Sequence, residues 1–311
     1  KAEAVHQKAL RLKERNHPCS PKQLVVPLMQ LQQLTAVQVR SVDESLKLSL
    51  RALEVVEGAL SQADTSLVMN SGLLSEKERR QLERDLRSYQ VYKVDVLFSV
   101  HNLCKISGDY ASALAHAKLH SQSTLEVYKR SHRNYAYALM LEASCYSFLP
   151  SLDQMEAVEL LAEAIRIQLE LTEGQDKVDS FLARLYEEKG HALSHLADEE
   201  ETSSLKALQA FNTSRFILKK SGEQSRLEMV ERMVEELRQN PLLCDRIENE
   251  PSPYDLEDMS PAARSIVFGA DFGESEEGAE GEASTATLMA ALGLVSLCVG
   301  GAVLYFRKAR R

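Results

Sequence analysis

Turn-forming residues are scarce in this sequence. Its 311 residues include only 13 Gly and 8 Pro, too few for a fold assembled from many short strands and tight turns. Leu, Ala, Glu, Lys and Arg take their place, and these favour long helices with few connections. Cysteine is sparse as well. The five, Cys19, Cys104, Cys145, Cys244 and Cys298, are odd in number and widely spread, which argues against a disulfide framework and fits reduced thiols in a cytosolic protein.

The signatures of common chemistry are also missing. There is no phosphate-cradling Gly loop, no Gly-x-Ser-x-Gly elbow and no Ser, His and Asp arrangement. Acidic runs such as Glu187-Glu188 and Glu199-Glu200-Glu201 read as solvated helix ends rather than as a general acid and base pair. Net charge is -9 although four cations occupy the last five residues, so the part before them is more acidic still. Such a surface repels phosphate backbones, and no basic stripe with interleaved aromatics offsets it. The expectation is a chain that performs no catalysis, needs no cofactor and binds no nucleic acid.

What is present is helical periodicity. With 44% hydrophobic and 27% charged residues, the chain is able to bury a substantial core. Residues 1–15 form an amphipathic pattern that Asn16-His17-Pro18-Cys19-Ser20-Pro21 interrupts. Helices are then expected over 22–39 and 42–60, followed by a loop over 61–75 that contains Asn70-Ser71-Gly72. Ser75 and Glu78 fit a capping box opening a long helix to about Ile106. Further helices are read over 111–130, 132–149, 153–172, 176–196, 201–220 and 223–239. The class is all-α.

The stretch Asn102-Leu103, Gly108-Asp109-Tyr110 and Ala113-Leu114 resembles the turn of a tetratricopeptide repeat (TPR). Gly108 permits the tight turn, Tyr110 plugs the hairpin, and Ala113 lets the second helix approach the first. Ala157 and Ala207 recur in comparable places, and Ser45 takes an earlier one, at irregular spacings of 68, 44 and 50 residues. The opening Lys1 to Arg15, followed by Asn16-His17-Pro18, is similar to the second helix and following loop of a kinesin light chain repeat. The resemblance covers residues 1–239 and implies an antiparallel helical-hairpin solenoid whose groove holds a protein or peptide partner. Asn102, Lys105, Tyr135, Glu142 and Arg184 are the expected groove positions on the first helices of the repeats.

His101 and Cys104 lie three apart, and His116 and His120 lie four apart on the next helix, residue types that suit zinc. In the repeat alignment His101 and His120 take packing positions, and no Cys-x-x-Cys accompanies them, so no metal is expected. His191 and His195 lack the Glu of a His-Glu-x-x-His site.

Beyond residue 239 the composition changes. Residues 240–282 carry Pro241, Pro251, Pro253 and Pro261 and an acidic run from Asp271 to Glu282, the make-up of a flexible tether. Ser252-Pro253 and Ser260-Pro261 are candidate phosphorylation sites. Residues 283–306 run uncharged, and since ~20 helical residues cross the ~30 Å hydrocarbon core, they read as a single transmembrane helix. Ser296 and Gly300 offer one small-residue pair for weak self-association there. The basic tail 307–311 resembles those of tail-anchored proteins of the mitochondrial outer membrane or peroxisome more than those of the endoplasmic reticulum. The expected function is a membrane-tethered adaptor. A chain that opens on Lys1 rather than Met is expected to continue upstream. That leaves two alternatives: the regulatory C-terminal part of a larger enzyme, or a type I topology set by an upstream signal.

Overall fold

Helix follows helix in the computed structural model, which describes residues 21–37, 42–70, 72–149, 151–172, 179–196 and 201–239. The elements are α1 (Pro21–Val37), α2 (Val42–Met69), α3 (Glu76–Ser107), α4 (Tyr110–Tyr128), α5 (Arg133–Tyr146), α6 (Gln154–Thr172), α7 (Ser180–Leu196), α8 (Glu201–Ser221) and α9 (Gln224–Arg238). No strand occurs among the described residues. The helix expected over 1–15, the 240–282 tether, the 283–306 span and the basic tail lie outside the described residues. Among those described, no helix is long and apolar enough to cross a membrane.

Local chemistry sets the boundaries. At the start of α3, Ser75 N–H donates to Glu78 Oε2 at 2.9 Å and Glu78 N–H donates to Ser75 Oγ at 3.4 Å, so two orphan amides are satisfied reciprocally. At its end Gly108 adopts φ +81, the left-handed conformation that costs a side chain but not glycine. Its N–H returns to Lys105 O, and Asp109 N–H to Cys104 O. Asp109 Oδ1 then accepts from Ser112 N–H at 3.1 Å, so one residue pair closes α3 and opens α4.

The loop expected over 61–75 is shorter than the sequence suggests. α2 continues to Met69, leaving a turn in which Leu73 and Leu74 N–H bond Asn70 O. Val56, Ala59 and Ala63 keep the helical spacing and are buried. Alanine sustains the packed face with so little apolar bulk that periodicity alone loses it there.

Each helix packs chiefly on its neighbours in the chain, and α1 with α3 and α5 with α7 add contacts between alternate helices. Two-residue connections such as Gly108-Asp109 make the joined helices antiparallel. The core runs from Val25 and Leu28 in α1, through Leu97, Met140 and Leu161, to Val230 and Val234 in α9. Ala113, Ala157 and Ala207 have no exposed surface, which allows close helix approach. Tyr110 stacks on Phe148 at 4.3 Å between centroids. The outermost helices of the core are tied by charge: Arg226 of α9 donates to Glu187 Oε1 of α7 at 2.9 Å, and Ser214 of α8 donates to the same oxygen at 3.1 Å.

α7 and α8 approach closely at Gly190. A Cβ placed on Gly190 would stand 2.8 Å from the buried Phe211 ring. Gly190→Val is therefore expected to destabilise the fold by about 1–3 kcal/mol through overpacking. Thermal unfolding checks this. Phe211→Leu, destabilising alone, is expected to recover part of the loss in the double variant, and additive losses would contradict the contact.

Candidate interaction surface

Aromatic side chains link three alternate helices. Phe98 of α3 lies 6.0 Å from Tyr137 of α5, which lies 5.9 Å from Phe181 of α7, each pair tilted. Tilted rings at this separation gain from edge-to-face attraction beyond their area. The row is edged by charge. Arg133 sits 5.0 Å over the Phe181 ring and pairs with Asp179 at 3.2 Å. Burial pushes the Tyr137 hydroxyl up, and the hydrogen-bonded Arg184 beside it opposes the shift. Two helical turns further along, Lys105 Nζ donates to Ser144 Oγ at 3.1 Å and stands 5.2 Å from the Phe148 ring. Half-buried Phe98, Asn102, Lys105, Tyr137 and Arg184 thus form a band across α3, α5 and α7.

Tyr135 and Glu142 lie outside this band. Glu142 is only 7% exposed, where an exposed position was expected. Its Oε2 accepts from Ser121 of α4 at 2.5 Å. Burial raises its pKa, with Ser121 and Lys118 opposing. Tyr135, half-buried, has its hydroxyl raised by burial and by Glu163 of α6, against Arg130. The reason is register. Tyr135 and Glu142 are seven residues apart on one side of α5, whereas Tyr137 and Ser144, two residues on from each, are turned about 200° around the helix. The row members Phe98, Tyr137 and Phe181 carried no sequence motif. Only the packing of α3, α5 and α7 brings them together.

Around Glu142 a second polar cluster joins α4, α5 and α6. Lys118 pairs with Glu156 at 3.2 Å and lies 5.6 Å from the Tyr146 ring. Arg130 and Arg166 converge on Glu163 at 2.7 and 2.8 Å, and these guanidinium hydrogen bonds hold that carboxyl at about 2. These are exposed or half-exposed pairs that align neighbouring helices and add little stability.

The histidine and cysteine candidates sit inside the helix packing. His101, 1% exposed, has Nδ1 at 3.0 Å from Ala113 O and 3.8 Å from Cys145 Sγ. His120 is buried against Phe98 with ring centroids 6.0 Å apart. Cys104 is buried beside them, and burial pushes its thiol up and that of Cys145 to about 12, the reverse of what a thiolate ligand needs. His116 is half-buried and shifted down by burial. Among the described residues no three such side chains are grouped to hold a metal ion.

Burial lowers both His101 and His120 to about 4, so each is neutral in the folded chain, while the unfolded chain takes up protons below about 6.5. Stability from this source is full above pH 6.5 and is lost as pH falls toward 4, by about 2 kcal/mol per histidine at pH 5. Unfolding midpoints measured from pH 7 to 5 are expected to fall, and His101→Gln with His120→Gln is expected to flatten the slope. An unchanged slope would contradict burial as the cause. In comparison with known proteins, no family model matches the chain and no curated protein matches it.

Proposed function

We propose that this chain is an adaptor in which a TPR-like array of helical hairpins holds a protein or peptide partner, tethered to an organelle membrane by residues 283–306. The observation that carries the reading is the band across α3, α5 and α7: half-buried Phe98 and Tyr137, backed by the buried Phe181 and flanked by Asn102, Lys105 and Arg184. Stacked hairpins present their alternate helices as an extended surface that suits a peptide or partner helix. Aromatic and arginine side chains amid half-buried polar groups are the composition of binding hot spots. Two concavities among the described residues, along α3 and beside the end of α4, are open to solvent. The uncharged 283–306 segment, its acidic approach and the basic tail 307–311 support a tail anchor, with the mitochondrial outer membrane or peroxisome as its site.

Proximity crosslinking in cells with the full chain and with Lys105→Glu/Arg184→Glu tests the surface. Reversing two charges at the band is expected to reduce recovery of the principal partner by roughly tenfold or more, with helicity by circular dichroism unchanged. Equal recovery of every partner by both chains would refute the assignment.

A further inference from the structure

The turn between α2 and α3 exposes large aliphatic side chains in one place: Val68 at 69%, Met69 at 77% and Leu73 at 86%. The turn is held closed by the amides of Leu73 and Leu74 on Asn70 O, so these residues stand at the tip of a hairpin. Immediately behind them α3 carries Lys77, Arg80, Arg84 and Arg87 at steps of three and four residues, which places all four on one face. That face is opposite Leu82, Leu86 and Tyr89, which turn inward, and its cations are exposed. Carboxylates lie to either side. Glu76 pairs with Arg80 and Glu83 with Arg79, while Arg84 reaches Gln81 at 2.7 Å.

From this arrangement we infer that the α2–α3 hairpin is a peripheral contact for an anionic lipid surface. The order along the hairpin, aliphatic tip first and cations behind it, reproduces the layering of a bilayer, with hydrocarbon beneath negatively charged headgroups. Val68, Met69 and Leu73 enter the acyl boundary, and Lys77 and Arg80 meet the headgroups. Arg84 and Arg87 follow as the hairpin tilts down, their long stems carrying the charge to the surface. An acidic protein partner would suit the cations but leave no reason for bare aliphatics at the tip. The inference rests on the membrane-tethered reading, in which a tether of the 240–282 composition would reach on the order of 35 Å, keep the domain near the bilayer and let a weak contact form repeatedly.

The sequence contains no tryptophan, so one introduced residue is a clean reporter. The full chain carrying Leu73→Trp is mixed with phosphatidylcholine vesicles with or without phosphatidylserine. Flotation reports the anchor and emission reports the tip. With phosphatidylserine the emission is expected to shift to the blue and to be quenched by brominated acyl chains. Arg80→Gln/Arg84→Gln/Arg87→Gln is expected to weaken that response roughly tenfold or more, and a Leu152→Trp reporter to remain silent. Flotation with no emission change overturns the contact while sparing the tether. A chain that does not float refutes the tether, and the emission response still decides the contact. A blue shift that appears without vesicles as protein concentration rises identifies a protein occupant and overturns the lipid one.

Discussion

Close approach between neighbouring helices is the constraint on which the structure depends. No helix here buries enough apolar surface alone, and the gain comes when each lays one face against those beside it. Small residues at the contacts make this possible: Ala113, Ala157 and Ala207 are fully covered, and Gly190 leaves room for the Phe211 ring. The polar link of Arg226 and Ser214 to Glu187 fixes the last three helices against one another. Burial raises the Glu187 pKa, and Arg226 and Ser214 oppose the shift.

The same packing determines where polar chemistry goes. His101, His120 and Cys145 fall between α3, α4 and α5, where lost hydration holds the imidazoles neutral and the thiol protonated. Groups that would be reactive in a cleft are thereby made part of the interior. Phe98, Tyr137, Asn102, Lys105 and Arg184 are left half-buried on the alternate helices, and it is this surface that we propose for a partner.

Much of the helical order was legible in the sequence. Ser75 with Glu78, and Gly108 with Asp109, act locally, and local capping signals survive without knowledge of the fold. The overrun of α2 was not legible because Ala59 and Ala63 pack without adding much hydrophobic signal. The register of α5 was also hidden. Its central residues Ala138 to Tyr146 are all buried, so hydrophobicity does not say that Tyr137 and Ser144, rather than Tyr135 and Glu142, face α3 and α7. The cations of α3 are interrupted in sequence by Glu78, Glu83 and Asp85, and they align into a stripe only when Leu82, Leu86 and Tyr89 mark the inward face.

The account joins a binding surface on alternate helices to a membrane tether at residues 283–306, and its central claim is that the two belong to one device. The most direct measurement is the distribution in cells of the tagged full chain and of the same chain lacking residues 283–311. The account predicts that the full chain decorates mitochondria or peroxisomes and that the shortened chain spreads through the cytosol. A cytosolic distribution of both would contradict it.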